Sequence, residues 1–134
     1  MKTIKYFKLI LFLIIFSLNN CSSDYTENLG NGYFFVGEGS PLNKILNEKS
    51  NRGQVPENVI SYDYNKDFII AKQKPDLPQS ILYEKKYEYK YGANEFYYWL
   101  IVKDEYLVLG PFNLSEFNEV RQKYMVPNAL EIEK

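Results

Sequence analysis

Val59-Ile60-Ser61-Tyr62-Asp63-Tyr64-Asn65-Lys66-Asp67-Phe68-Ile69-Ile70-Ala71-Lys72 decides the fold. β-branched and aromatic residues fill Val59 to Tyr64 and Phe68 to Lys72, and such side chains favour a pleated, half-buried surface. Asn65-Lys66-Asp67 between them is polar and short, a tight turn between two antiparallel strands. Asp63, Asn65 and Asp67 also match the opening of a calcium-loop pattern. That pattern needs Gly at its sixth place and Glu at its twelfth, where this chain has Phe68 and Lys74. The hairpin reading accommodates all of these residues, because Asx side chains close turns on their own backbone.

Downstream of the hairpin, Phe96 to Val102 is an almost continuous apolar and aromatic run. A strand that does not alternate must be covered on both faces, so this run is expected at the centre of a sheet. Lys103-Asp104-Glu105 turns the chain, Tyr106 to Leu109 returns, and Gly110-Pro111 stops that strand. A helix follows. Asn113 or Ser115 can cap it, and Glu116 stands three residues after Asn113, as in a capping box. Leu114, Phe117, Val120, Arg121 and Tyr124 fall on one stripe at helical spacing, and Pro127 ends the helix. Leu130 and Ile132, alternating with Glu131 and Glu133, suggest a last edge strand.

Between hairpin and central strand, Asp76-Leu77-Pro78 interrupts the pattern, and Pro78 suits the first turn of a short helix through Tyr83. Tyr87, Tyr89 and Tyr91 then alternate with Glu88 and Lys90 at a strict period of two, the pattern of a strand. With Tyr97 they make the most unusual composition in the chain. Two readings stand. The rings form a stacking platform for a sugar or peptide, or they cover the core and keep their hydroxyls in water. Upstream, Gly30-Asn31-Gly32 is a turn signal, Tyr33 to Val36 a first strand, and residues 42–57 mostly loop, with a short strand near Lys44 to Leu46.

The amino terminus has a different character. Lys2, Lys5 and Lys8 precede an apolar run from Leu9 to Leu18, about ten residues, the length of a signal-peptide core and about half of what a membrane span needs. Leu18-Asn19-Asn20-Cys21 resembles the bacterial lipobox, with Leu three residues before the cysteine; Asn20 departs from the usual Gly or Ala. The resemblance implies cleavage before Cys21 and a diacylglycerol on its sulfur, and Ser22 instead of Asp after it implies the outer membrane where a cell has two. The alternatives are a plain secretory signal or an uncleaved anchor. The expected organisation is a signal at residues 1–20, the lipidated Cys21 with a polar tether at 21–31, and one domain at 32–134.

Composition narrows the chemistry. The chain of 134 residues has 13 Tyr, 9 Phe, one Cys and no His. An intramolecular disulfide, a Cys-rich zinc site and every His-based catalytic triad are therefore excluded. The formal charge is −1, and without Lys2, Lys5 and Lys8 it becomes −4. A mildly acidic domain is a poor match for nucleic acid. Gly37-Glu38-Gly39 lacks the rest of a phosphate loop, and no Ser has a Lys three places later.

Gly32-Tyr33, the hairpin with Ile69-Ile70-Ala71-Lys72-Gln73, Tyr98-Trp99-Leu100-Ile101, and Gly110-Pro111-Phe112 leading to Glu116-Phe117 together resemble a family of small uncharacterised bacterial lipoproteins. The resemblance implies core and turn determinants and no activity. The expected fold is α+β: a single antiparallel sheet of about five or six strands with one carboxy-terminal helix packed on it. The expected function is that of a lipid-anchored envelope protein, a binding or interaction module of immunity or inhibitor type, with a protein or glycan partner. It is expected to have no cofactor, no metal and no catalytic residue. The competing classes are a carboxylate-based envelope hydrolase and a structural envelope component. The site residues expected are Cys21 for lipidation and Tyr87, Tyr89, Tyr91 and Tyr97 for an aromatic binding surface.

Overall fold

The computed structural model describes residues 24–132. Cys21 and the segment before it lie outside the described residues. Among the described residues seven strands and one α-helix follow in order: β1 Tyr25–Gly30, β2 Tyr33–Gly37, β3 Lys44–Asn47, β4 Val59–Tyr64, β5 Phe68–Gln73, β6 Tyr97–Val102, β7 Leu107–Phe112 and α1 Leu114–Lys123. They form two antiparallel sheets, β1-β2-β3 and β4-β5-β6-β7. The single sheet expected from sequence is thus corrected to two.

The reason lies in β5 and β6. Successive side chains of a strand point to opposite faces. Ile69, Ala71, Trp99 and Ile101 point one way and form a core with Leu29, Tyr33, Phe35 and Ile45 of the three-stranded sheet. Ile70 and Leu100 point the other way and pack with Phe117, Val126 and Leu130. One helix covers only one face of an apolar sheet, so the other face recruits a second sheet. The larger sheet is therefore the middle layer, and β6 is central in it, as its composition predicts.

Three further expectations are corrected. Residues 25–30 are not a tether but β1, paired with β2 from Tyr25–Gly37 to Gly30–Tyr33. Asn31 and Gly32 both have positive φ, 54° and 80°, which makes the two-residue turn that joins such strands. Leu130 to Ile132 is not a strand: Leu130 is buried, Arg121 donates to the Leu130 carbonyl at 2.9 Å, and the Glu131 amide donates to Asp63 Oδ2. The tail is tied down by side chains instead of by a ladder. The Tyr87–Tyr91 segment is also outside any strand. Both edges of β6 are already taken by β5 and β7, so no ladder position remains beside it.

The deciding hairpin forms as read. Asn65 Oδ1 accepts from the amides of Asp67 and Phe68, both at 2.8 Å, and β4 and β5 pair through Tyr64–Ile69. The helix carries the expected box, with the Glu116 amide donating to Asn113 Oδ1 at 2.8 Å and the Asn113 amide to Glu116 Oε2 at 2.9 Å.

Candidate functional site

The structure brings the four tyrosines together around β6 and Trp99. Tyr97 is fully buried in β6; its hydroxyl donates to the Gly92 carbonyl at 2.9 Å and accepts from the Tyr91 amide at 2.8 Å. Tyr89 stands edge-on to Tyr97 at 5.0 Å, and Tyr91 stacks on it at 6.3 Å. Tyr87 meets Trp99 edge-on at 4.8 Å. Each remaining hydroxyl has a protein partner. Tyr87 donates to the Gln54 carbonyl, Tyr89 to Gln73 Oε1, and Tyr91 to Glu116 Oε1. Burial pushes the Tyr87 hydroxyl up and that of Tyr89 to about 12, while Tyr91 is raised chiefly by its bond to the Glu116 carboxylate. Tyr91 is the exposed ring of the four, and Tyr87 and Tyr89 pack against the inter-sheet core.

Gln73 organises this cluster. It is buried at the end of β5, and its amide donates to the carbonyls of Pro56 and Glu57 at 3.2 and 2.8 Å. Its carbonyl accepts from Trp99 Nε1 at 2.9 Å and from the Tyr89 hydroxyl at 3.3 Å. All four bonding positions of a glutamine side chain are filled.

The feature that sequence reasoning missed is what the tyrosines support. Residues 79–87 form a closed loop, not the helix expected after Pro78. Gln79 bridges its two ends: Nε2 donates to the Lys85 carbonyl at 2.7 Å, and Oε1 accepts from the Tyr87 amide at 3.0 Å. The Leu82 amide donates to Ser80 Oγ at 3.3 Å, and Tyr83 is buried beneath. That clamp directs the backbone into a turn where a helix would need it straight. At the apex Ile81 is 94% exposed and Leu82 81%. Compact loops with joined ends are frequent carriers of function. Lys85 and Lys86 follow at once, and Leu82, Glu84, Lys85 and Tyr87 line a groove of about 280 Å³ against the 50–54 turn. The sequence signal was the isolated pair Ile81-Leu82, apolar neighbours that belong to no period.

A second cluster also lay outside the sequence prediction. Glu27, on β1, accepts hydrogen bonds from the hydroxyls of Tyr62 and Tyr64 on β4, the latter at 2.8 Å. Burial first, then Glu27, raises the Tyr62 hydroxyl far above its usual range. Close by, the buried Lys103 ammonium donates to the carbonyls of Leu29 and Asn65 and sits 5.3 Å from the Tyr64 ring. Lys103 thereby ties β1 to the β4–β5 turn, and its burial lowers its proton affinity.

The described part is thus a two-sheet α+β domain with a loop clamped by Gln79 that turns Ile81 and Leu82 outward. The chain belongs to the family described as a protein of unknown function (DUF3997), which matches residues 30–134. No curated protein and no solved structure matches it. No helix among the described residues is long and apolar enough to cross a membrane.

Proposed function

We propose that the chain is a lipid-anchored cell-envelope protein that acts as a binding module and docks loop 79–87 into a protein partner. The observation that carries this reading is the adjacent exposure of Ile81 and Leu82 on a loop clamped by Gln79. Water disfavours two neighbouring bare aliphatic side chains, and a rigid loop loses little freedom on docking, so their contact area is retained as affinity. Lys85 and Lys86 at the shoulder suit a cleft that is apolar inside and acidic at its rim. A toxin or hydrolase held off at the membrane is the specific form, immunity- or inhibitor-like. Anchoring rests on the resemblance of residues 18–21 to a lipobox, since two or three acyl chains give stable attachment.

Two measurements test the reading. Cys21→Ser is expected to block lipid transfer and the cleavage that follows it, so that the chain incorporates no labelled fatty acid and migrates as the heavier, uncleaved form that keeps residues 1–20; unchanged mass refutes anchoring. A photo-crosslinking residue at position 81 of the full chain in cells is expected to yield one discrete protein adduct, abolished by Leu82→Asp beside it. Crosslinking no stronger than from a probe at the exposed Glu48 refutes docking through the loop. An adduct at twice the chain's own mass replaces the partner with a second copy and refutes the inhibitor form.

A further inference from the structure

Strand β1 leaves little chain between the domain and residue 21. From Tyr25 onward the sheet takes up the residues expected to form a tether, so only Ser22, Ser23 and Asp24 separate Cys21 from β1. Four residues of fully extended chain span at most about 14 Å. A domain of this size has a radius of gyration of about 13 Å. An acyl group on Cys21 therefore brings the Tyr25 end of the domain against the lipid headgroups. The side chains exposed at that end meet them first.

Three of those side chains are large and apolar. Tyr25 is 55% exposed, Leu42 46% and Ile60 44%. Backbone pairing gathers them. Tyr25 pairs with Gly37 at the end of β2, and the chain then turns through residues 38–43. The Leu42 amide donates to the Gly39 carbonyl at 2.7 Å. The Val59 amide donates to the Asn43 carbonyl at 2.9 Å, which sets Leu42 and Ile60 beside the same bond. Tyr25 and Ile60 in turn line one cavity of about 340 Å³. The Tyr25 ring leans on Phe35 at 5.8 Å, over Gly37, where a Cβ would stand 2.4 Å from Tyr25 Cε1.

Charge says which surface such a face suits. Lys44 and Glu38 beside it bond each other at 2.7 Å and add no net charge. Asp24 and Glu131 border it, so a negatively charged lipid surface is disfavoured. A tyrosine has an apolar body and a polar tip, the combination found at the headgroup level of bilayers. Three such side chains hold a bilayer weakly by themselves, but a tether this short keeps them at high effective concentration.

We propose that, given the anchor at Cys21, Tyr25, Leu42 and Ile60 form a face that rests on a zwitterionic phospholipid bilayer and fixes how the domain stands on it. Ile60 belongs to β4, whereas Lys85 and Tyr87 of loop 79–87 share a groove with Gly110, Pro111 and Phe112 of β7. β4 and β7 are the opposite edges of the larger sheet, about 14 Å apart at ordinary strand spacing. A domain seated on its β4 edge holds the loop on the far side, where a protein partner can reach Ile81 and Leu82.

The full lipidated chain in vesicles of phosphatidylcholine and phosphatidylethanolamine tests this. Leu42→Cys, Ile60→Cys, Glu48→Cys and Leu82→Cys each accept one nitroxide label, since the lipid occupies the sulfur of Cys21. Glu48 is exposed beyond the other end of β3. A label seated roughly 5–10 Å into the headgroup–acyl boundary meets more oxygen and less of a water-soluble nickel chelate. The ratio of the two accessibilities is expected to be about twofold or more higher at 42 and 60 than at 48 and 82. Leu42→Asp is expected to lower the ratio at 60 to that at 48. Incorporation of labelled fatty acid separates this inference from the anchor. If none is incorporated, anchoring fails and the face fails with it. If it is incorporated, equal ratios at 60 and 48, or a ratio at 60 unmoved by Leu42→Asp, overturn the face and leave the anchor standing. A ratio at 82 above that at 60 seats the loop on lipid and overturns the orientation. Dipolar broadening between labels at 60, with no rise in the ratio, assigns the face to a second copy of the chain and overturns the proposal.

Discussion

Gln73→Leu replaces one side chain by another of similar volume, so it isolates hydrogen bonding from packing. The native amide serves the carbonyls of Pro56 and Glu57, the Trp99 indole and the Tyr89 hydroxyl. Leucine serves none of them. The losses differ in kind. Tyr89 is half-buried and can recover a water, so its share is small. Trp99 is fully buried, and its indole N–H has no path to solvent. An orphaned buried donor costs about 1–3 kcal/mol, and a carbonyl left with a spare lone pair costs less. Summed over the indole and the two carbonyls, the expected destabilisation is about 3 kcal/mol, roughly a 150-fold fall in the folding constant. Urea unfolding followed by far-UV circular dichroism measures it. Trp99→Phe removes the orphaned donor, so the double variant is expected to recover about 1 kcal/mol relative to additivity. A loss below about 0.5 kcal/mol for Gln73→Leu, or strict additivity in the cycle, refutes the claim that Gln73 is the hub joining β5, the 56–57 segment and the tyrosine cluster.

Alkaline pH tests the buried phenols. Burial pushes Tyr33 and Tyr89 to about 12, so between 10 and 12 the unfolded chain releases their protons while the folded chain keeps them. Stability is then expected to fall with rising pH above 10, by about 1.4 kcal/mol per pH unit for each such group. Lys103 acts in the opposite sense, because its lowered affinity makes stability rise with pH up to 10.5 and not beyond. A thermal midpoint that does not drop between pH 10 and 12, or phenolate absorbance that appears before unfolding, contradicts the burial. Asn113→Ala removes the side-chain half of the capping box, with an expected loss of about 1 kcal/mol by the same urea assay. The other half of the box is tested by acid: the Asn113 backbone amide is the main cause of the lowered Glu116 pKa, so folded Glu116 favours its charged form and stability is lost as pH falls through that range. Alanine keeps that amide, so the acid-side loss is expected in Asn113→Ala too and to vanish in Glu116→Gln; a loss unchanged in Glu116→Gln would contradict this.

What the sequence revealed and what it hid divide along a physical line. Strands rich in β-branched and aromatic residues on both sides of a short turn announce themselves, as β4, β5, β6 and β7 do. The helix did too, because Asn113 and Glu116 form a local bonding unit. β1 did not. Tyr25-Thr26-Glu27-Asn28-Leu29 offers only one residue that ends up fully buried, Leu29, and its strand character comes from pairing with β2. The Asn31-Gly32 turn was visible, but nothing local said that a strand preceded it. The second sheet was hidden for a related reason: the double-sided apolarity of β5 and β6 demands two covers, and the sequence does not say whether helix or sheet supplies each.

The candidate sites show the same division more sharply. Period-two spacing read Tyr87, Tyr89 and Tyr91 as a strand, which they do not form, although with Tyr97 they do meet. The spacing carried no information about hydroxyl partners, and those partners decide the role: Gln54, Gln73, Gly92 and Glu116 come from four different parts of the chain. Rings bonded in this way hold the 79–87 loop in place, and the loop then presents the two residues that fit no period at all. Ile81 and Leu82 break the pattern by being apolar outside the core, and Glu27 breaks it by being a half-buried carboxylate bonded by two phenols and in no ion pair among the described residues.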